Sequence, residues 1–165
     1  QKELNKQINA EFESAYLYLS MSAYFEEKNL SGFANWMRVQ YQEETSHGMK
    51  IFDYVIERGG KVELRSIKEV KTSWKDEIEV LEETFKHEQL ISELINNLVN
   101  VAIEEKDHAT NNMLQWFVSE QVEEEANVDE ILQQLKMLDG SKHGLLMLDR
   151  ELKQRMFVDE TQANN

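Results

Sequence analysis

The stretch FANWMRVQYQEETSHGMKIFDY, residues 33–54, places Phe33, Met37, Gln40, Glu44, His47, Ile51 and Tyr54 at alternating steps of four and three. Residues so spaced stack on one face of an α-helix and form the seam by which a helix packs in a bundle. Two members are out of place in an apolar seam. Glu44 and His47 lie three residues apart, side by side on that face, which is how helical bundles hold a metal ion. The pair alone is a pattern that chance supplies, and Glu105 with His108 is a second copy. Its meaning depends on what other helices bring to the same level.

Working outward, the preceding residues repeat the pattern. Leu4, Ile8, Glu11, Ala15, Tyr18, Ser22 and Phe25 predict a first helix over about 3–28. Asn29-Leu30-Ser31-Gly32 is a break, with Ser31 a candidate N-cap for a second helix over about 32–58. That helix stops at Arg58-Gly59-Gly60, where glycine can take the left-handed conformation that ends helices. A turn of about three residues makes the two helices an antiparallel hairpin. Farther on, Leu81, Thr84, Glu88, Ile91, Ile95, Leu98 and Ala102 predict a third helix over about 74–104, with Ser73 and Asp76 resembling a capping box. Asp107 caps a fourth over about 108–137, whose seam is Thr110, Leu114, Phe117, Gln121, Glu124, Val128, Ile131 and Leu135. A second hairpin results, ended by Asp139-Gly140. Residues 61–72 lack a seam and read as an extended crossover, with Val62, Leu64 and Ile67 packing along the bundle. A short amphipathic fifth helix over about 143–156 is led by Leu145, Leu148, Leu152 and Met156 and needs another surface to bury against. Residues 159–165 are polar and read as a frayed end.

Composition agrees with an all-α fold. The chain has no proline, 6 glycines and many helix-forming residues, and its 165 residues are one domain's worth with enough apolar content for a real core. Net charge is −14, which disfavours nucleic acid and anionic lipid and attracts cations. Without cysteine there are no disulfides or thiolate sites, so a metal would be held by carboxylate and imidazole, ligands that suit iron, manganese or zinc. No apolar run approaches 18 residues and no basic-then-apolar N-terminus is present; the expectation is no membrane span and a cytoplasmic protein.

The chemistry lies where the seams turn polar: Glu11, Glu44 with His47, Glu88, and Gln121 with Glu124. Glu44 and His47 follow Glu11 by 33 and 36 residues, and Gln121 and Glu124 follow Glu88 by the same intervals. In an antiparallel hairpin, residues equidistant from the turn face each other. The midpoint of Glu11 and His47 is Asn29, and that of Glu88 and Glu124 is Lys106; both fall at predicted breaks. Packing the hairpins together would converge four Glu, one Gln and one His. Burying such carboxylates uncompensated costs several kcal/mol each, which one or two multivalent cations offset. Tyr18, two turns from Glu11, can offer a hydroxyl to the site. Glu105 and His108 straddle a helix break and lose the shared face a ligand pair needs. His87 and His143 lack a partner at ligand spacing and read as surface or interface residues. Glu43, Glu120, Glu123, Glu125 and Glu130 form a further acidic concentration, either a solvated face or an additional cation site.

These residues carry a resemblance that spans nearly the whole chain: Asn9-Ala10-Glu11-Phe12, Tyr16-Leu17-Tyr18, Gly32-Phe33-Ala34-Asn35-Trp36-Met37, Gln42-Glu43-Glu44-Thr45-Ser46-His47, His87-Glu88, Glu105-Lys106-Asp107, Trp116 through Glu125, and Leu148-Asp149-Arg150-Glu151-Leu152. The chain resembles the non-haem ferritins of bacteria and archaea. The resemblance implies a single ferritin-like domain over 1–165, an all-α, ferritin-like four-helix bundle of two antiparallel hairpins with a long crossover, plus a short C-terminal fifth helix. It implies assembly as a hollow homomeric shell of twenty-four subunits, with the fifth helices meeting around fourfold axes. Carried over by position, Glu11, Glu44 and His47 would bind one iron of a ferroxidase pair and Glu44, Glu88 and Glu124 the other. Gln121 would line the second site and Tyr18 would stand near the diiron centre. Glu43, Glu120 and Glu123, with Glu124 shared, match a third iron site. The implied activity is oxidation of Fe(II) by O2 or peroxide and storage of Fe(III) as a ferric oxyhydroxide mineral.

Related families fit less well. A bacterioferritin would carry Glu-x-x-His on the fourth helix where Gln121 and Glu124 stand, and no methionine is assignable as a haem ligand. A rubrerythrin would bring a Cys-rich iron domain. A Dps-type miniferritin places its ligands between subunits. A diiron peroxidase that keeps little mineral, and a purely structural helical assembly with polar seams fixing register, are the competing functions. Iron retained per particle separates the first, and indifference of stability to Fe(II) or Zn(II) would favour the second.

Overall fold

The structure is a computed structural model describing residues 1–162. Five helices follow in order: α1 (Lys2–Glu27), α2 (Ser31–Glu57), α3 (Glu77–Glu104), α4 (His108–Met137) and α5 (Lys142–Leu152), then a 3-10 turn at Glu160–Gln162. Contacts group the chain into two compact units, one of Gln1–Trp74 with the segment that begins at Gly140, the other Lys75–Asp139.

In the first unit α1 packs on α2 as an antiparallel hairpin. Every predicted seam residue of α1 is buried, as are those of α2 except Tyr54, which is half-buried. Ser22 Oγ donates to the Ala34 carbonyl at 2.8 Å near the turn, and the space a side chain at Gly48 would fill is bounded by Phe12 and Glu11. These pairs centre on residues 28–30, as the seam arithmetic requires. The turn itself is a Schellman motif: Leu30 N–H reaches back to the Phe25 carbonyl at 3.0 Å and Asn29 is left-handed at φ 59°.

The second unit repeats the design with α3 on α4. Asp107 N–H bonds the Ala102 carbonyl at 2.8 Å, and Lys106 takes the left-handed position at φ 56°. The two residues predicted as hairpin midpoints are thus the left-handed turn residues. All predicted seam residues of α3 and α4 are buried.

Asp107 caps α4 by accepting from Thr110 N–H at 3.1 Å, as expected. The cap of α3 is Asp76, accepting from Glu79 N–H at 2.9 Å, so α3 begins three residues later than 74 and Ser73 lies outside the motif. Ser31 is the first residue of α2 and does not cap it. The cap comes from α5: Asp149 Oδ1 accepts from Gly32 N–H at 2.8 Å and Phe33 N–H at 3.1 Å. Gly32 is required there, since a Cβ at this position would lie 1.6 Å from the Asp149 carbonyl oxygen.

The fifth helix is shorter than 143–156. It ends at Leu152, and Met156 lies beyond it and is exposed. Leu148 and Leu152 are buried and Leu145 half-buried, in a helix that packs on α2. The polar end is not frayed through residue 162: it forms the 3-10 turn, and Lys50 Nζ donates to the Thr161 carbonyl at 3.0 Å. Residues 163–165 lie outside the described residues.

The crossover is extended, as expected, and runs along α1. Asn5 bonds Lys61 O at 3.0 Å and Glu63 N–H at 2.8 Å, Ser20 Oγ donates to Lys71 O at 2.7 Å, and Trp74 is buried edge-on against Tyr24 with ring centroids 5.3 Å apart. Its apolar side chains do not pack inward, however. Leu64 and Ile67 are exposed and Val62 is half-buried, because backbone hydrogen bonds at the two ends and the Trp74 anchor hold the segment.

Candidate metal centre

In the first hairpin, the seam arithmetic brings Glu11 of α1 to Glu44 and His47 of α2. All three are buried, and one ligand atom from each lies within 4.8 Å of the others. His47 Nδ1 stands 3.8 Å from Glu44 Oε2 on the shared helix face. Gln7, one turn before Glu11 and itself buried, donates to Glu11 Oε1 at 2.9 Å and orients that carboxylate. The other oxygen, Glu11 Oε2, is buried with no hydrogen-bond partner among the described residues. A buried carboxylate oxygen without a donor costs roughly 1–3 kcal/mol or more, so such an oxygen on a residue of this group fits a bound cation. The donor set of two carboxylates and an imidazole suits iron, manganese or zinc. The packing that permits this includes Gly48, which follows His47 and lets the Phe12 ring and Glu11 Cβ approach to 3.3 and 3.4 Å of where its own Cβ would be.

The second hairpin answers its buried carboxylate differently. Gln121 Nε2 donates to Glu88 Oε2 and to the Glu88 carbonyl, both at 3.2 Å, so the amide supplies the positive end that a cation would otherwise supply. The network extends to Ser92, whose Oγ lies 3.4 Å from Gln121 Nε2 and donates to Glu125. Ser92 was not among the sequence candidates, although Glu125 follows it by the same 33 residues that join Glu88 to Gln121. Glu88, Gln121 and Glu124 are all buried.

The remaining candidates divide by environment. Tyr18 is fully buried on the Glu11 face of α1. Glu43 is mostly buried and its Oε2 accepts from Arg155 Nη2 at 2.7 Å, while Glu120 is half-buried and Glu123 exposed on α4. Glu105 is the C-cap of α3 and His108 the first residue of α4, so the second Glu-x-x-His copy does not share a helix. His143 is exposed. His87 is half-buried, and burial pulls its imidazole down to about 4 against the opposing influence of Glu83. No helix is long and apolar enough to cross a membrane among the described residues.

Comparison with known proteins agrees with this chemistry. The ferritin-like domain family matches residues 1–138. The chain is 45% identical over 155 residues to the bacterial non-heme ferritin of Bacteroides fragilis, covering 94% of this chain and 96% of that one. It is 40% identical over 152 residues to the bacterial non-heme ferritin of Campylobacter jejuni, covering 92% and 91%. Its fold superposes with a TM-score of 0.93 on the open pore ferritin of the archaeon Archaeoglobus fulgidus, at 50% identity over 94% of this chain and 96% of that one. With five helices, no strand among the described residues and relatives of this closeness, the fold class is all-α, the four-helix bundle with a short fifth helix, and the chain belongs to the ferritin family.

Proposed function

We propose that this protein stores iron: it oxidises Fe(II) at a paired-iron centre within each subunit and holds the Fe(III) as a ferric oxyhydroxide mineral inside a homomeric shell of twenty-four copies. Residues 1–165 act as one ferritin-like domain. Glu11, Glu44 and His47 bind one iron, and Glu44, Glu88 and Glu124 the other, with Gln121 beside the second. Two adjacent Fe(II) ions together supply the two electrons that reduce O2 to peroxide, or peroxide to water. Hard carboxylate oxygens favour the ferric product and so lower the barrier to oxidation. Tyr18 stands by as a hydrogen-bond or electron donor, and Glu43, Glu120 and Glu123 pass ferric iron toward the acidic inner surface, where it hydrolyses. The chain's net charge of −14 favours cation entry through acidic pores.

The observation that carries this reading is the buried Glu11, Glu44 and His47 group, with a Glu11 oxygen that has no donor among the described residues. Replacing Glu44 and His47 together with Ala should reduce aerobic Fe(II) oxidation, followed by ferric absorbance, to the uncatalysed rate. Helical content and particle mass should stay unchanged. Rapid oxidation persisting in that variant would overturn the assignment.

A further inference from the structure

After α5 the chain does not leave the protein. It turns back along α2, fastened in sequence by the Asn35 side-chain amide to Leu152 O and Arg155 O at 3.3 and 3.0 Å, and by Lys50 to Thr161 O at 3.0 Å. The side chain at the centre of this strap is Arg155. Its guanidinium lies 4.6 Å from the centre of the Trp36 ring, Nη1 donates to Gln40 Oε1, and Nη2 donates to Glu43 Oε2 at 2.7 Å. Trp36, Gln40 and Glu43 follow at steps of four and three, one face of α2, and the next residue is Glu44 of the proposed iron centre. Gln40 is fully buried, and the Arg155 and Glu43 side chains are 22% and 18% exposed. A planar guanidinium stacked on an aromatic ring and forked to an amide and a carboxylate is a preorganised counter-cation for that carboxylate.

We propose that Arg155 is the resident counter-cation of Glu43, and that a metal ion arriving at Glu43 displaces the guanidinium and loosens the C-terminal strap from α2. The inference rests on the reading of Glu43 as a cation ligand and adds a positioning residue to it. A metal ion at Glu43 and the Arg155 guanidinium repel one another across a single carboxylate, so each disfavours the other there. Metal affinity at Glu43 is therefore reduced while Arg155 is docked. The coupling is reciprocal, so whatever cation binding gains when the strap is released, the strap loses when the cation binds.

Zinc(II), a redox-inert probe, would be titrated calorimetrically into the metal-free assembled protein, alongside Glu43→Gln, Arg155→Gln and Arg155→Lys. Glu43→Gln should remove one class of zinc site. Arg155→Gln should tighten that class roughly two- to fivefold, the scale of a partly exposed charge pair, and Arg155→Lys, which keeps the charge without the fork, should tighten it less. Amide exchange across residues 150–160 should quicken on zinc loading of the unsubstituted protein, but not of Glu43→Gln. Zinc binding unchanged in Glu43→Gln would overturn the reading of Glu43 as a ligand, and the proposal with it. Loss of a site in Glu43→Gln with unaltered affinity in Arg155→Gln would overturn the role of Arg155 alone, leaving it a strap and nothing more.

Discussion

The two hairpins share a spacing and a turn, yet they treat their buried carboxylates in opposite ways. In α1–α2 the residue 33 positions after the first glutamate is Glu44, and the group it forms with Glu11 and His47 contains Glu11 Oε2, which has no donor among the described residues. In α3–α4 the corresponding residue is Gln121, whose amide donates to Glu88 Oε2 and to the Glu88 carbonyl within its own hairpin. One hairpin leaves a buried carboxylate oxygen without a donor among the described residues; in the other a neutral amide donates to a buried carboxylate. The hairpins differ at both spaced positions, Glu44 against Gln121 and His47 against Glu124, and exchanging the first pair is the most direct way to break the comparison. Gln121→Glu removes the donor and sets a second buried carboxylate against Glu88, which should destabilise the metal-free protein by about 3 kcal/mol or more. Such a pair shares a proton more readily as pH falls, because mutual repulsion raises one of the two pKa values. That group's folded pKa then lies above its unfolded value, so denaturant unfolding should show the loss in full at pH 7 and partial recovery at pH 5. The mirror change, Glu44→Gln, should stabilise the metal-free protein and weaken zinc binding at least about tenfold, relieving repulsion at the expense of a ligand.

The hairpins also start their second helices differently. The α4 cap is local, Asp107 serving Thr110 three residues on. The α2 cap arrives from 117 residues away, when Asp149 of α5 docks over Gly32. One cap belongs to the helix; the other exists only when α5 is seated. Gly32→Ala would drive a methyl group into the Asp149 backbone and should cost about 1–3 kcal/mol, with faster amide exchange throughout α5. Asp149→Ala should cost about 1–2 kcal/mol and also speed exchange in α5, whereas Asp107→Ala should cost about 1 kcal/mol and leave α5 protected. Equal exchange in α5 for the two Asp variants would show that the α2 cap is not coupled to docking of that helix.

This contrast also explains what could be read from the sequence. Seams, hairpins and hairpin midpoints were legible because they follow from helical periodicity and from a turn a few residues long. Glu11, Glu44, His47, Glu88, Gln121 and Glu124 were legible as buried residues because each interrupts an apolar stripe. Ser31 was misread as a cap because the true acceptor, Asp149, is distant in sequence. Gln7 and Arg155 were not singled out for a related reason: their partners, a carboxylate one turn along and an aromatic, amide and carboxylate on another helix, define them only after folding. Exposure of Leu64 and Ile67 was likewise invisible to a pattern that counts apolar residues without knowing which backbone groups are anchored.

The finest test of the comparison concerns the two turns, which are alike in hydrogen bonding and differ in the residue held at positive φ. Asparagine tolerates the left-handed region at Asn29, since its short polar side chain can hydrogen-bond locally; lysine at Lys106 has no such relief and bears a steric cost of about 1 kcal/mol. Glycine removes that cost but gains freedom in the unfolded chain, which offsets part of the benefit. Lys106→Gly should therefore stabilise the protein by about 0.5 kcal/mol, and Asn29→Gly by less. Thermal unfolding of the metal-free protein would register the first as a rise of roughly 1–2 °C and the second as little change. A Lys106→Gly variant that melts lower would mean that the lysine side chain contributes contacts at the turn which outweigh its backbone strain.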